Sequence, residues 1–519
     1  MTMQEFAPLM FGGLILIMLI GFPVAFSLAA LGIGCGFFAV YMGWFPFSFL
    51  TALPLNVFGI LSNDLLLAIP FFTLMGTILE KCGLAEDMLD SMGQLFGPVK
   101  GGLGYSVIIV GFILGAITGT VAGQVIAMAM ISLPVMMRWN YNMRYATGVL
   151  AASGTITQLV PPSLVLIVLA DQLGKPVGDM YKGAWGPSIV QVLLFAAYTF
   201  FLTRMRPSYL PGVPKSARTL EGWALLYKCM RGIIPSAVLI FTVLGSMGGL
   251  PGIDTAIATP TEAGAMGAVG AMILAAMHKR LNWSLLNEAM ISTMRLTAMV
   301  VFILIGSRVF SLVFQGVDGG IWIEHMLAGL PGGQIGFLIA VNIFIFFLAF
   351  FLDFFEIAFI IIPFLAPVAA KMGIDLIWFG VMICVNMQTS FMHPPFGFAL
   401  FYLRGIADTL FKNGSIPRKV ESRDIYLGSI PFIVMQLILV GIVIFFPQTV
   451  TVFLDKEKVL DVNKAGDDIQ KMGGGRGYGK EDAALEALKP GAKPDAKSDS
   501  KDEDPMEAVK RALEADKKK

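Results

Sequence analysis

Long runs of apolar residues, separated by short polar segments, fill the first 454 positions of the chain. A helix needs about 20 apolar residues to cross the hydrocarbon of a bilayer, so these runs predict membrane-spanning helices. The candidates are 6–42 (one long helix, or two short ones split near Pro23), 65–81, 187–203, 232–249, 258–277, 296–315 and 427–453. The pattern therefore predicts an all-α polytopic membrane protein.

Two further segments, 101–137 and 333–370, are each nearly twice as long as a single span and carry small or polar residues at their centres. The first centre is Gly115–Gln124, and the second contains Asp353 and Glu356. One overlong helix, two spans or a re-entrant helical hairpin would each fit such a pattern. We expect two re-entrant hairpins, because small and polar residues suit a chain reversal inside the protein.

A polar segment with two consecutive prolines follows each of these hairpin candidates, at 154–163 and at 386–397. Consecutive prolines remove two backbone donors and clash with the preceding turn, so neither helix can continue through them. In lipid, unpaired backbone groups are tolerated only where protein or a polar cavity satisfies them. The two segments therefore predict two broken helices.

The same order of elements occurs twice, and Pro161-Pro162 and Pro394-Pro395 occupy corresponding places in the two halves. This predicts an internal repeat with discontinuous helices, as many secondary transporters have, over about 6–203 and about 222–453. Lys and Arg cluster in the loop 204–231, which the positive-inside rule places in the cytoplasm. Alternating spans then bring the two hairpins in from opposite faces, so we expect inverted topology.

Composition supports the membrane interpretation and narrows the function. The chain is 56% hydrophobic and 14% charged, with a mean hydropathy of +0.76, whereas soluble domains average about 45–50% apolar and about 25% charged residues. These values and the net charge of +1 exclude an ordinary cytosolic enzyme and a nucleic-acid binder. Residues 455–519 carry 15 basic and 16 acidic side chains, so we expect a polar, mostly disordered tail after a membrane domain at 1–454.

Catalytic motifs are absent from the sequence. There is no GxxxxGK[ST] phosphate loop, no GxSxG elbow and no HExxH zinc motif. The chain is therefore not expected to be an enzyme.

Polar side chains gather at the hairpin centres and helix breaks, where orphan carbonyl and N–H groups suit sodium and an anionic substrate. The first group consists of Thr118, Thr120 and Gln124, facing Thr155, Thr157, Gln158 and Ser163. The second consists of Asp353 and Glu356, facing Asn386, Gln388, Thr389, Ser390 and His393.

Asp353 and His393 leave alternatives open. No basic residue lies near Asp353 in the sequence, and a carboxylate inside a membrane indicates a functional site. It could bind a cation, carry a proton or pair with Arg308. His393 could sense pH, contact a substrate or be a hydrogen-bonded core histidine.

Five segments occur in order along the chain: Leu114–Val125, Leu159–Ser163, Ala258–Ala263, Phe351–Asp353 and His393–Gly397. Together they resemble the large membrane subunit of the TRAP (tripartite ATP-independent periplasmic) transporters. The resemblance covers nearly all of 5–453 and no part of the tail. It implies a sodium-coupled elevator of the ion-transporter superfamily in the bacterial inner membrane, with sodium as coupling ion and no other cofactor.

The same resemblance implies two protein partners, a small four-helix membrane subunit and an extracytoplasmic binding protein that delivers an organic acid. It also implies a mobile unit and a stationary scaffold. The mobile unit would contain 115–124, 154–163, 351–357 and 386–397. The scaffold would contain 6–42, 222–249 and 427–453.

Carried over by position, the resemblance implies two sodium sites. The first would be formed by Thr118, Gly119, Thr120, Gly154, Val160 and Pro161. The second would be formed by Asp353 and the backbone around Thr389, Met392 and Pro395. Thr155, Ser163 and His393 complete the expected substrate and ion site.

The chain departs from the usual family motifs at three places. Thr118-Gly119-Thr120 replaces a Ser-Gly-Ser tip, Gln124 stands where relatives are often polar or acidic, and the second break reads His393-Pro-Pro-Phe-Gly397. This last variant, the segment Phe351–Glu356 and the extended charged tail together resemble the branch for 2-oxo acids, lactate and related monocarboxylates. The alternatives are a self-sufficient carboxylate or ion transporter or antiporter of the same superfamily and, further off, a membrane-embedded enzyme or channel.

Overall fold

The computed structural model describes residues 3–214, 216, 222–253, 255–350, 352–394 and 397–454. Within these ranges the chain is built from α-helices with short 3₁₀ and π segments, and it contains no β-strand. The expected disordered tail, 455–519, lies outside the described residues, as does part of the loop 204–231.

The helices follow one another along the chain with short connections. They are α1 (Met3–Ile20), α2 (Val24–Tyr41), α3 (Leu53–Leu61), α4 (Ala68–Lys81), α5 (Leu84–Phe96), α6 (Gly102–Thr118), α7 (Val121–Arg138), α8 (Met143–Thr155), α9 (Leu164–Leu173), α10 (Val177–Met205), α11 (Gly222–Ser246), α12 (Pro260–Met277), α13 (Trp283–Gly316), α14 (Gly319–Ala328), α15 (Gly333–Leu348), α16 (Phe354–Glu356), α17 (Ile362–Lys371), α18 (Leu376–Ser390), α19 (Phe398–Lys412), α20 (Ser422–Phe445) and α21 (Gln448–Thr451).

The prediction of an all-α polytopic membrane protein is confirmed. Eight helices of the described chain are long and apolar enough to cross a membrane, and a ninth span results if the pair 47–61 and 64–81, bent by 48°, counts as one. The apolar run 6–42 is two helices, α1 and α2, because Pro23 cannot continue the first one.

Several helix boundaries differ from the sequence prediction. Helix α10 begins at Val177, well before the predicted start at 187. The prediction left out its first turns because they contain the charged Lys182, which the structure buries. Helix α20 ends at Phe445, since Pro447 interrupts the predicted helix 427–453. Helices α5 and α14, each leading into a hairpin, were missed. Three acidic residues make α5 look like a polar loop in the sequence.

The two hairpin candidates are pairs of helices whose free ends meet. Helix α6 turns into α7 at Gly119, whose φ of +63° suits glycine, and Thr120. Backbone N–H groups just before α6 and just after α7 donate to neighbouring carbonyls, those of Leu210 and Tyr209, at 3.1 and 2.9 Å. At the base of the second hairpin, the side-chain amide of Gln334 on α15 donates to the carbonyl of Met372 just after α17, at 2.7 Å. Each segment is therefore a pair of helices joined at a turn; that the pair is re-entrant stays a prediction.

The second arm of the second hairpin is not a uniform α-helix. A π-helical segment, Ile357–Ile361, lies between α16 and α17. Pro363 has no N–H to donate to the carbonyl of Phe359, and the hydroxyl of Ser307 on α13 donates to that carbonyl instead, at 2.5 Å. The freed backbone group is thus satisfied by a neighbouring helix.

The two halves of the chain exchange contacts. Helix α2 of the first half packs on α13 of the second, and α12 of the second half packs on α4 of the first. A Cβ added to Gly32 would lie 2.9 Å from the backbone N of Phe310, and one added to Gly264 would lie 3.1 Å from Phe72. Small residues on α2 and α12 therefore allow both close crossings, as expected for a repeat.

Helix α20 packs on the broken helices and not on α2 or α11. It crosses α8 at Gly148 and Gly428, and Arg144 on α8 pairs with Asp424 on α20 at 3.2 Å. This packing argues against the expectation that 427–453 belongs to the scaffold, because α20 shares a buried face with the segments expected to move.

Candidate functional site

The first helix break lies directly against the first hairpin. Helix α8 ends at Thr155 and continues as a 3₁₀ turn to Gln158, and α9 begins after Ser163, whose hydroxyl accepts from Val165 N at 3.2 Å. The hydroxyl of Thr157 donates to the carbonyl of Gly115 on α6 at 2.9 Å. The break is thus bonded to the first arm of the hairpin.

Gln124 joins three parts of this assembly. Its amide nitrogen donates to the carbonyl of Gly111 on α6 at 2.7 Å and to that of Ser153 on α8 at 2.8 Å. Gly154 permits the same close approach, since an added Cβ would lie 2.2 Å from Val125 Cγ2. The predicted juxtaposition of the first tip with the first break is present, with Gln124 as a buried bridge.

The second hairpin meets the second break in a corresponding way. Asn386 on α18 donates from its amide to the carbonyl of Asn342 on α15 at 2.8 Å. The ring of Phe354, which follows Asp353, lies 6.4 Å from that of Phe391 at the break. The hydroxyls of Thr389 and Ser390 donate to carbonyls of their own helix and are not aimed at the hairpin.

Asp353 begins the second arm as its N-cap. Its carboxylate accepts a hydrogen bond from Glu356 N, and the Glu356 carboxylate accepts one from Asp353 N, both at 2.9 Å. Arg308 is exposed and makes no salt bridge with Asp353 in the part of the chain that the structure describes. The Asp353 carboxylate therefore caps the N-terminus of the second arm.

The side chain of His393 is 1% exposed, and its ring stacks on Phe350 and meets Phe346 edge-on, both in the second hairpin. Its ring lies 4.3 Å from that of Phe350 and 4.2 Å from that of Phe346. Neither ring nitrogen has a hydrogen-bond partner among the described residues. His393 is therefore not a hydrogen-bonded core histidine, one of the alternatives that the sequence left open.

The two breaks touch each other at the centre of the protein. The hydroxyl of Thr155 lies 3.7 Å from the sulfur of Met392, and the thiol of Cys384 on α18 donates to the carbonyl of Gln158 at 3.2 Å. Ser163 donates to the same carbonyl. The side-chain amide of Gln158 is buried, and neither of its polar atoms is paired within the described ranges.

Two glutamines that the sequence did not single out reach this centre. The side-chain amide of Gln436 on α20 donates to the hydroxyl of Thr155 at 3.1 Å. The side-chain amide of Gln191 on α10 donates to the side-chain oxygen of Gln388 at 2.7 Å. Each is a buried amide in a largely apolar stretch of its helix, and that is the signal in the sequence that could have marked it.

Most of the expected site residues are thus brought together around the breaks. Val160 and Ser163 are buried there with the first tip, and Thr389 and Met392 with the second break. The side chain of Thr118 and all of Pro395 lie outside the described residues. Thr120 makes no capping bond with its side chain.

This arrangement combines buried carbonyls, amides, a carboxylate and an imidazole. No group of three His, Cys, Asp or Glu side chains placed to hold a metal ion occurs in the described chain. Helix ends, amides and a carboxylate of this kind can offer hydrogen bonds and oxygen coordination to a ligand.

Residues 11–449 match the family model described as "Tripartite ATP-independent periplasmic transporter, DctM component". Among curated proteins, the C4-dicarboxylate TRAP transporter large permease protein of Rhodobacter capsulatus is 30% identical over 415 residues, covering 77% of this chain and 90% of that protein. The 2,3-diketo-L-gulonate TRAP transporter large permease protein of Escherichia coli is 24% identical over 432 residues, covering 83% and 95%.

A solved structure shares the fold. The YdaH transporter of Alcanivorax borkumensis matches with a TM-score of 0.52 at 14% identity, over 78% of this chain and 87% of that one. At this identity the likeness concerns the fold alone.

Proposed function

The chain belongs to the DctM component family of the tripartite ATP-independent periplasmic transporters, and we propose that this large permease subunit imports an organic acid in a sodium-coupled, binding-protein-dependent cycle. It is a multi-pass membrane protein, and its relatives are named as transporter permease proteins, not enzymes. The proposal rests on one observation at the centre where both breaks meet. The side-chain polar atoms of Gln158 and His393 are buried there beside two hairpins and have no hydrogen-bond partner among the described residues.

Buried polar atoms without partners cost free energy, so a protein retains them where a ligand supplies the missing hydrogen bonds. Gln158 offers a donor and an acceptor, and the imidazole of His393 offers one of each in its neutral form. A carboxylate with a neighbouring oxo or hydroxyl group presents several acceptors and would fit such donors. This supports an organic acid as the substrate.

For sodium, we propose the two sites implied by position. In the second, the Asp353 carboxylate and the backbone carbonyls near Thr389 and Met392 would hold the ion. In the first, the helix ends at Thr118–Thr120, Gly154 and Val160 would hold it. Hard oxygen donors of this kind suit an alkali cation, and a bound cation would compensate the carboxylate in its apolar surroundings.

For movement, we propose an elevator in which the hairpins and broken helices travel together as one unit. The buried bonds from Thr157 to Gly115 and from Asn386 to Asn342 join each break to its own hairpin. Helices α2, α12 and α13, with α4, pack mainly on one another and would form the wall against which that unit moves.

For substrate and partners, we propose a 2-oxo acid, lactate or a similar monocarboxylate, delivered by an extracytoplasmic binding protein, with a small four-helix membrane subunit beside the scaffold in the bacterial inner membrane. The relatives are named for C4-dicarboxylates and for a diketo acid, which supports an organic acid in general. The His393 variant of the second break supports the narrower class.

Uptake into proteoliposomes tests the proposal. The chain is reconstituted with the small subunit, and labelled pyruvate or lactate is offered with the binding protein, with and without an inward sodium gradient. We expect uptake only when sodium and binding protein are both present. Uptake by this chain alone, indifferent to sodium, would overturn the proposal in favour of a self-sufficient transporter.

A further inference from the structure

The two hairpins differ in how the N-terminus of the second arm is neutralised. A helix N-terminus carries unsatisfied N–H groups and a partial positive charge. In the second hairpin, Asp353 and Glu356 form a reciprocal capping box at this position, with both bonds at 2.9 Å. The second hairpin therefore carries its own negative charge.

The first hairpin has no acid at the corresponding position. Thr120 is the N-cap of α7, and its offset from Asp353 along the chain equals the offset between the two proline pairs. Its side chain makes no capping bond. By the same offset Gly123 corresponds to Glu356, so the first turn of α7 contains no carboxylate of its own.

A carboxylate from another helix occupies this place. A Cβ built on Gly123 would lie 2.1 Å from Oε2 and 2.7 Å from Oε1 of Glu80, and the three atoms nearest to it all belong to that carboxyl group. Glu80 is on α4, and the neighbouring Lys81 is turned to Glu288 at 2.6 Å. Glycine at position 123 is what allows Glu80 to come so close.

We propose that Glu80 is an electrostatic latch that holds the tip of the first hairpin against α4. The inference rests on the proposed elevator, in which α4 belongs to the wall and α7 moves. A charge carried by the hairpin itself, as in the second hairpin, stays with it throughout the cycle. A charge supplied by α4 is lost when the hairpin leaves, so this attraction favours the conformation described here.

The latch is tested by the rate of backbone hydrogen–deuterium exchange at the hairpin tip, measured on the full chain in nanodiscs. In Glu80→Gln the amide of the side chain keeps the shape and loses the charge, and Glu80→Ala also loses the contact. In both variants we expect exchange in peptides covering 115–127 to rise by about two- to thirtyfold, the range for removing a carboxylate from a helix N-terminus. Glu288→Gln, which removes an exposed acid from α13, is the matched control and should exchange as the wild type does.

A variant that moves the carboxylate from α4 to the hairpin provides the decisive test. Gly123→Glu in the Glu80→Ala background fills the vacated space and creates the sequence pattern of a capping box with Thr120, copying the second hairpin. We expect this double variant to exchange at the wild-type rate. If both single variants exchange at the wild-type rate, the latch is overturned. It is also overturned if the double variant keeps its melting temperature but its 115–127 peptides still exchange faster than those of the wild type. An effect of Glu80→Ala without one of Glu80→Gln would assign the contact to packing and also overturn it.

The measurement needs neither sodium, substrate nor binding protein. A negative exchange result therefore leaves the uptake experiment untouched, and sodium-independent uptake would sink the proposed function without altering the exchange result. The two failures are distinguishable.

Discussion

The amide nitrogen of Gln436 donates to the hydroxyl oxygen of Thr155 at 3.1 Å, and this bond has a counterpart in the other half of the protein. Gln191 donates to Gln388 at 2.7 Å. Gln191 and Gln436 stand at the same position counted from the first residues of α10 and α20, and Thr155 and Gln388 are related by the offset of the two proline pairs. Each long helix is thus bonded to the broken helix of the opposite half, and in the proposed elevator α10 and α20 would travel with the breaks.

A cross-link within that unit is expected to leave transport intact. Arg144 on α8 and Asp424 on α20 form a salt bridge at 3.2 Å, and cysteines at both positions can be joined by a short bifunctional thiol reagent. The four native cysteines are first replaced by alanine. We expect uptake in proteoliposomes to match that of the unlinked variant, because the proposed elevator moves α8 and α20 together. Blocked uptake that returns on cleavage of the linker would place α20 in the scaffold.

A cross-link between wall and hairpin is expected to stop transport. Glu80→Cys with Gly123→Cys joins α4 to α7 at their point of contact. Oxidation should reduce uptake to background and reduction should restore it, since the hairpin can no longer leave α4. The single variant Glu80→Cys, treated with the same oxidant, controls for loss of the carboxylate. Uptake that continues at high cross-linking yield would contradict the elevator.

Asp353→Asn is expected to weaken sodium coupling without unfolding the hairpin. Asparagine is a good N-cap, so the bond to Glu356 N survives while the charge is removed. Sodium half-saturation of uptake should rise by about tenfold or more, because a charged oxygen ligand is lost, which corresponds to at least about 1.4 kcal/mol.

Glu356→Gln is the matched control for this experiment. Glutamine also closes a capping box, so its bond with Asp353 N can be kept. If sodium is coordinated by the carboxylate of Asp353 and not by that of Glu356, this variant should keep a sodium half-saturation close to that of the wild type. Wild-type sodium dependence in a folded Asp353→Asn variant would leave Asp353 as a cap only.

The breaks and hairpins were predictable because a membrane restricts the backbone so strongly. Pro161-Pro162 and Pro394-Pro395 cannot lie inside a helix, and a broken helix in lipid must be covered by protein. Small residues such as Gly115 and Gly119 then mark the place where the covering hairpin approaches. These conclusions depend on local properties of the chain and on a constant offset between its halves that is visible in the sequence.

The contacts of Glu80, Gln191 and Gln436 were not predictable in the same way. Glu80 lies next to Lys81, so in the sequence it looks like half of a charged helix end, and its position at Gly123 depends on the crossing of α4 and α7. Gln191 and its partner Gln388 are far apart in the sequence, and no periodicity encodes such a pair. Which face of an apolar helix is buried is decided by packing with distant helices.

Gly154→Ala is expected to destabilise the contact between α8 and the first hairpin. The added Cβ would lie 2.2 Å from Cγ2 of Val125, a β-branched side chain with little freedom to turn away. We expect a loss of about 1–3 kcal/mol, measured as a lower melting temperature of the purified protein, together with reduced uptake. Val125→Ala in the same molecule should restore most of the stability. Gly405→Ala on α19, where an added Cβ meets nothing within 4 Å, should not destabilise the protein, and a comparable loss there would show that the effect is not steric.

His393→Phe separates stability from function. An aromatic ring at this position can keep the ring contacts with Phe346 and Phe350, and it removes two buried nitrogens that have no partner in the described chain. Because an unpaired buried polar atom costs free energy, the variant should melt at the wild-type temperature or above it. If the imidazole serves the substrate, KM for the organic acid should rise about tenfold, the loss of one good hydrogen bond, while sodium half-saturation stays unchanged. A residue kept for packing would show the reverse, with lower stability and unchanged KM. Stability gained together with affinity lost is the mark of a polar group retained for its ligand, and an unchanged KM would remove His393 from the site.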